Sequence, residues 1–390
     1  MTLLDTDRYA FQDLLTPVER EAALRVREFM EREVRPIADE YWERAEFPHH
    51  LVPGIAATGL FGAMWPETAR FENSAVFRGW AALELARVDP SFATFVGVTS
   101  GLAMGSIGIC GSEEQRAAWL PPMGRGETVG AFGLTEPFAG SDTARGLRTT
   151  AVREGDRWLL NGAKRWIGNA TFADVTVIWA KDTADDQVKG FLVRKDAPGF
   201  NAVKIERKQA LRSVQNADIT LVDVAVPESD RLQRADSFRD VAKVLRATRA
   251  EVAWQAVGVA VGAYEAAVRY AAEREQFGRP IASYQLVQDK LASSLANITA
   301  SIAMCVRVSQ LQDEGRQSDE HSAMAKAFTT TRMRETVGWC RDILGGNGIQ
   351  LDHGVARYFA DAEAVYSYEG TRDMNTLIVG RAITGHQAFA

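Results

Sequence analysis

The sequence predicts an α+β protein of three consecutive parts: a helical region over 1–128, a β region over 129–235 and a region of long helices over 236–390. Three observations predict it, namely helix-capping signatures in the first part, a change of hydrophobic period in the second, and very long helical patterns in the third. From Thr16, TPVEREAALRVREFMEREV has a Thr N-cap, Pro at the first helical position and Glu19 at N3, then apolar residues at helical spacing. GSEEQRAAWLPP repeats the device with Ser112 and Gln115, and Pro121 and Pro122 are expected to stop that helix. Short β-rich runs follow, TAVREG, RWLLNG, VTVIWA, GFLVRK and ITLVDVAV, separated by Gly, Asp and Asn turns as in a sandwich or barrel. Beyond 236 come FRDVAKVLRATRAEVAWQAVGVAVGAYEAAVRYAAERE, a second helix after Pro280 and a third from Ser318. Helices this long need partners on several faces, so they form a bundle and offer a subunit interface.

Composition removes several function classes. A chain of 390 residues with 46% apolar content can bury a large core. Its formal net charge is −6 and no block of Lys or Arg stands out, so an electrostatic footprint for nucleic acid or anionic lipid is missing. Cys110, Cys305 and Cys340 are far apart and read as core thiols in a reducing compartment. The start, MTLLDTDRYAFQDLL, lacks the pattern of a signal or transit peptide, and HQAFA is not a peroxisomal signal. No window is read as an uncharged membrane span, so the expectation is a soluble, cytoplasmic protein. GRGETV at 124–129 follows two prolines and leads into a strand, which fails the context of a dinucleotide-binding turn, and no P-loop occurs. The histidines, His49 and His50 included, have no ligand spacing, so no metal site is expected. GVAVG at 258–262 and GLAMG at 101–105 read as close helix packing.

A scattered set of small and polar residues remains. VYSYEGTRD at 365–373 puts a lone carboxylate, Glu369, after two aromatics; buried between apolar walls it would have a raised pKa and could act as a base. FGLTEPFAGSD at 132–142 opens the β region with the hydroxyls of Thr135 and Ser141. KRWIGN at 164–169 sets Trp166 near Gly168 at a strand end, EREQFGRP at 273–280 ends a long helix with Arg274, and LGGNGI at 344–349 lets a backbone pass close to something. Singly, these are a turn, a packed Trp, a dipole-matching Arg and a helix stop. In this order and at these separations they resemble the acyl-CoA dehydrogenase family across nearly the whole chain.

The resemblance implies an N-terminal α domain, a middle β domain and a C-terminal four-helix bundle, assembled as a homotetramer with FAD. It implies that Thr135 and Ser141 bind the flavin ring and pyrophosphate and that Trp166 packs on the ring. Arg274, Gln276 and Phe277, with the glycine loop of Gly345, Gly346 and Gly348, would reach the pyrophosphate of a neighbouring subunit's FAD. Glu369, in the segment Tyr368, Glu369, Gly370, Thr371, would be the catalytic base, with Tyr368 and Gly370 beside the substrate and Thr371 beside the cofactor. Arg249 matches a family Arg near the active site. Thr248 stands where some relatives carry their base instead.

The same resemblance implies α,β-dehydrogenation of an acyl-CoA thioester, with electrons passed to an electron-transferring flavoprotein. Two departures narrow it. The closing segments look most like glutaryl-CoA dehydrogenases, but the Arg those use for a distal carboxylate is replaced by Ala93 after Phe92. Phe92 and Ala93 are therefore expected to wall a short, uncharged acyl tail. Gly168 stands where most members have a Thr near the flavin. RWIGN with SVQNADI is similar to plant short-chain acyl-CoA oxidases, so oxygen is the alternative acceptor.

Overall fold

In the computed structural model the described residues are 4–387; those parts of the chain-end readings that fall on 1–3 and 388–390 lie outside them. The N-terminal helices are α1 Pro17–Phe29, α2 Ala38–Arg44, α3 Val52–Ala57, α4 Ala75–Val88, α5 Pro90–Val96, α6 Met104–Cys110 and α7 Glu113–Gly124. Both capping boxes form. Thr16 Oγ1 accepts from Glu19 N at 3.3 Å and Glu19 Oε2 accepts from Thr16 N at 2.8 Å. Ser112 Oγ accepts from Gln115 N at 3.2 Å and Gln115 Oε1 accepts from Ser112 N at 2.9 Å. Pro121 and Pro122 do not stop α7; they sit in its last turns. Proline's fixed φ suits a helix, and the two prolines' carbonyls still accept from Arg125 N and Glu127 N, so only two donors are lost.

Between α5 and α6, residues Gly97–Ala103 form a π-helical segment, a geometry that often marks functional positions. The whole run Pro90–Cys110 is long and apolar enough to cross a membrane, contrary to the sequence expectation, as is the later helix Gln285–Asp313. Most of Pro90–Cys110 is buried inside the protein, which explains its lack of charge.

The β region holds β1 Gly130–Gly133, β2 Thr150–Glu154, β3 Arg157–Ile167, β4 Val175–Asp182, β5 Val188–Arg194, β6 Phe200–Lys204 and β7 Ala217–Pro227. They form one sheet in the order β1-β4-β2-β3-β7-β6, with β5 on β4. The β1–β4 and β2–β4 pairs are parallel and the rest antiparallel. β1 and β6 have no strand signature in the sequence: β1 is the short, glycine-bounded GAFG, and β6 is a half-exposed edge. β3 runs past RWLLNG to Ile167, with register irregularities at Leu160/Gly162 and Lys164/Ile167. A bulge of this kind re-aims a side chain. Here it puts Trp166 in the left-handed region at φ 66.

The C-terminal part begins with α8 Phe238–Glu273 and a hairpin of β8 Glu275–Gln276 and β9 Arg279–Pro280. α9 Gln285–Asp313, α10 Asp319–Ile343, α11 Val355–Ser367 and α12 Arg372–Thr384 complete it. α8 packs on α4, α9, α10 and α11. Gly258 and Gly262 make its contact with α4 possible, since a Cβ on either would lie 2.3 Å from the Leu83 or Arg87 carbonyl oxygen. One hydrophobic core therefore runs through the N-terminal helices and the bundle together, while the sheet adds two more. The three cysteines are buried and free, with thiol pKa values pushed up by that burial.

Inside the sheet, Lys164 is buried and donates to Glu136 Oε1 at 2.8 Å, Trp179 O at 2.6 Å and Leu134 O at 3.2 Å. Burial draws its pKa down to about 8 despite Glu136. Glu136 in turn accepts from Arg148 N and Thr149 N, which ties down both ends of the loop that carries Thr135 and Ser141. Lys164→Ala leaves a buried carboxylate uncompensated and is expected to cost roughly 3–5 kcal/mol. A shift in denaturation midpoint worth under 1 kcal/mol would show that the pair is replaceable.

Candidate active site

The YEGT segment joins α11 to α12, and its residues are held from three sides. Glu369 has φ 55 and Gly370 φ 85, so the chain turns sharply here and pushes the acid inward. Glu369 Oε2 accepts from Thr248 Oγ1 of α8 at 2.8 Å, and Glu369 O accepts from Arg249 Nε at 3.4 Å. Burial raises the Glu369 pKa above the ordinary carboxylate value; the Thr248 hydroxyl and the charges of Arg249 and Lys326 oppose it. Among the described residues the Glu369 N–H donates no hydrogen bond.

Tyr368 caps α11 and donates through its hydroxyl to Gln255 Oε1 at 2.6 Å, while burial pushes its pKa up. Gly370 O accepts from Lys326 Nζ at 2.6 Å and from Asn375 Nδ2 at 2.9 Å. Thr371, expected beside the cofactor, is the N-cap of α12, its Oγ1 accepting from Met374 N at 3.2 Å. Lys326 is the residue that sequence reasoning missed. It lies on the buried face of α10, also donates to Tyr366 O at 3.3 Å, and has its pKa drawn down to about 7 by burial. The signal was a Lys amid the apolar run AMAKAF, with no neighbouring acid to explain it.

A cavity of about 60 Å³ adjoins this acid through Thr248. Its wall comes from α4, the π segment, α8 and α9, and includes Arg78, Ser100 and Glu251. Phe92 and Ala93, expected there, are instead in the core, where the Phe92 ring lies among Phe29, Phe47 and Phe95. From this stretch the cavity is met instead by Val96, the last residue of α5, and by Ser100 and Gly101 of the π segment.

The cofactor candidates of the β region gather at the end of β3. Arg165 N donates to Thr135 O at 2.8 Å, which sets Thr135 beside Trp166. The Trp166 ring is 51% exposed, with the Arg165 guanidinium 5.1 Å from its centre, so a flat face stands open for stacking. Ser141 is exposed in the following loop. Gly168 is buried, and a Cβ there would come 3.2 Å from Val98 of the π segment. The π segment thus joins the two halves of the site, since a Cβ on its Gly101 would lie 3.3 Å from Thr248 and 3.0 Å from Glu251. An exposed indole, a hydroxyl-bearing residue beside it and a buried acid across a short segment fit a flavin with a substrate on its face.

The remaining candidates lie elsewhere. Arg274 ends α8, and Arg274, Gln276 and Phe277 are exposed on the hairpin, Phe277 at 94%. Gly345, Gly346 and Gly348 belong to the turn of 3-10 helix Gly345–Ile349, bound to α8 by Asn347 Nδ2 donating to Tyr270 Oη at 3.0 Å. So Arg274 and the glycines share one end of the bundle. From Thr248 to Arg274 is roughly 40 Å along α8. Among the described residues no cluster suits a metal ion.

The chain matches three family descriptions: "Acyl-CoA dehydrogenase, N-terminal domain" over 16–127, "middle domain" over 131–224 and "C-terminal domain" over 238–384. It is 33% identical to an acyl-CoA dehydrogenase of Bacillus subtilis, covering 92% of this chain and 96% of that one. It is also 33% identical to the caffeyl-CoA reductase-Etf complex subunit CarC of Acetobacterium woodii, over 90% of this chain and 94% of the other. Among solved structures, a Mycobacterium smegmatis glutaryl-CoA dehydrogenase in complex with FADH2 superposes with a TM-score of 0.95 at 34% identity, covering 99% of this chain and 100% of that one.

Lys326→Met removes the donor that ties Gly370 and Tyr366 to α10 and leaves buried carbonyls without it. The expected result is a stability loss of about 1–3 kcal/mol together with faster amide exchange across 366–371. Unchanged exchange in that segment would mean that Asn375 alone holds it.

Proposed function

The chain belongs to the acyl-CoA dehydrogenase family, and from that premise we propose that it desaturates a short-chain acyl-CoA thioester to the trans-2-enoyl-CoA, with Glu369 as the base. The observation that carries this reading is the enclosed Glu369 carboxyl, hydrogen-bonded by Thr248, which itself lines a small cavity. FAD, the family's cofactor, supplies when bound the acceptor for the hydride lost from the β-carbon. Trp166 and Thr135 are the residues we assign to its ring, and Ser141 to its phosphates.

The α C–H of a thioester is only weakly acidic, so the base must be enclosed and the developing charge on the carbonyl oxygen must be met. The Glu369 carboxylate takes the α proton. Its own N–H, unengaged among the described residues, is the donor we assign to the thioester oxygen. Thr248 keeps the carboxylate ionised and aimed, since a hydrogen bond to the charged form opposes the effect of burial. Arg249 and Lys326 add positive charge without neutralising it, because neither donates to the carboxylate itself. Electrons then leave to an electron-transferring flavoprotein, the arrangement that the name of the Acetobacterium relative implies for that protein.

Arg274, Gln276, Phe277 and the glycine loop are too far along α8 to serve a flavin lying against Glu369 of the same chain. We assign them to the pyrophosphate of a second copy's FAD, which makes the enzyme a homo-oligomer, a tetramer on the family pattern. The half-exposed α9, with Leu286 81% exposed, supports burial against another copy.

Glu369→Gln is expected to retain flavin and bind acyl-CoA but lose at least ~10²-fold in turnover. In the wild type, kcat/KM for butyryl-CoA should fall as pH drops through the raised Glu369 pKa, because the base must be ionised to act. Stopped-flow bleaching of the flavin across pH checks both; a variant that still bleaches quickly would assign the proton to another group.

Arg274→Ala removes a charge-assisted contact worth roughly 1.5–3 kcal/mol. The variant should release flavin on dilution and dissociate to smaller species by light scattering. Full flavination with an unchanged mass would leave Arg274 only its place at the end of α8.

A further inference from the structure

The cavity next to Glu369 has largely apolar walls, among them Met64, Leu85, Val96 and Trp254, but polar side chains interrupt them. Arg78 of α4, Ser100 of the π segment, Thr248 and Glu251 of α8, and Ser309 and Gln312 of α9 all line it. Two of these carry formal charge, and neither charge is fully used within the protein. Glu251 has a single long contact, Gln255 Nε2 to Oε1 at 3.4 Å, and its other oxygen has no hydrogen bond among the described residues. Gly97 and Gly101 leave that carboxyl its space, since a Cβ on them would lie 3.3 Å from Oε1 and 3.0 Å from Oε2. Arg78 donates from Nη1 to Asn73 O at 3.1 Å and Asn73 Oδ1 at 2.8 Å. Its nearest acid, Asp313, stands 3.7 Å from Nη2 and is already engaged by the Ala75 N–H at the start of α4. The Gln312 side chain has no hydrogen bond among the described residues. The Ser309 hydroxyl accepts from Trp254 Nε1 at 3.0 Å and keeps its own proton to give.

An unpaired enclosed acid is costly, and burying a tail of bare methylenes against it would return nothing. A ligand group that both donates and accepts would satisfy Glu251 and Arg78 together. The charge around the cavity decides against an ionised group. Asp313 already lies 3.7 Å from Arg78, and a carboxylate on the tail would meet Glu251 and Glu369 as well. An ammonium would meet Arg78. Glu251 lies one helical turn from Thr248, about 5 Å along α8, so the matching group sits a few bonds beyond the carbon that Glu369 deprotonates. The cavity volume of about 60 Å³ leaves room for a tail of that length only, given the ~10–15 Å³ that one water-sized group needs.

We propose that the preferred substrate is a short acyl-CoA bearing a neutral hydrogen-bonding group, a hydroxyl or an amide, at its far end, and that Arg78 and Glu251 select it. This rests on the dehydrogenase reading above and adds the substrate class to it. Arg78 is the one cation and Glu251 the one carboxylate among the residues that line the cavity.

The test compares pentanoyl-CoA, 5-hydroxypentanoyl-CoA and glutaryl-CoA on the flavin-loaded enzyme by anaerobic bleaching. Their affinities are measured by calorimetry on the Glu369→Gln holoenzyme, which does not turn over. The hydroxylated thioester should exceed pentanoyl-CoA at least tenfold in kcat/KM and in affinity, with glutaryl-CoA poorest. In Glu251→Leu the hydroxyl preference should vanish or reverse. In Glu251→Gln, which keeps the shape and hydrogen bonding, most of it should survive; Arg78→Met should weaken it too. Bleaching by pentanoyl-CoA with no preference for the hydroxyl, or a preference untouched by Glu251→Leu, overturns this proposal and leaves the dehydrogenase reading standing. No bleaching by any acyl-CoA overturns both.

Discussion

The chemistry proposed for this molecule depends on keeping one carboxylate enclosed and yet ionisable. Burial alone would hold Glu369 protonated, and a tight ion pair would hold it inert. The fold avoids both by spreading the compensation. Thr248 supplies a hydrogen bond, while Arg249 and Lys326 supply charge but spend their donors on the backbone around the acid. The same donors fix the turn that aims it, so the electrostatic and positional conditions are met by one set of contacts. Each of the three comes from a bundle helix, which ties the acid to the most deeply packed part of the protein.

That dependence explains the length of α8. A helix that supplies Thr248, Arg249 and Glu251 near its start and Arg274 at its end spans two sites that one chain cannot join through a single cofactor. Its rigidity comes from close packing on α4, where Gly258 and Gly262 admit the carbonyls of Leu83 and Arg87. A shorter or more mobile helix would uncouple the acid from the end that we assign to a second copy.

Much of this was legible in the sequence where the signal is local. Caps at Thr16 and Ser112 name themselves, and the YEGT, LGGNG and EREQFG segments each keep their residues together in space. What the sequence hid depends on convergence from distant segments. Lys326, Arg78 and Glu251 belong to three helices, and only the fold brings each to the site or its cavity. The helical period does put Thr248, Glu251 and Gln255 on one face, a clue that gains meaning only once that face is known to line a cavity. Phe92 and Ala93 lie in the core and not in the wall of this cavity; a likeness of segments gives position along a chain but not rotation about it. Pro121 and Pro122 misled for a different reason, since a proline near a helix end costs less than one in its middle.

On the proposed reading, substrate choice and catalysis meet at the second acid. Burial, helped by the charge of Glu369, raises Glu251 to about 7, so a second ionised group beside it is disfavoured. A neutral hydroxyl can donate to Glu251 and accept from Arg78 without adding charge beside Glu369. An apolar tail makes neither bond, and an ionised tail carboxylate adds negative charge to an enclosure that already holds two acids. Discrimination among acyl groups would then appear in kcat/KM, because the group that binds best at the far end of the cavity is also the one that adds no charge beside the proposed base.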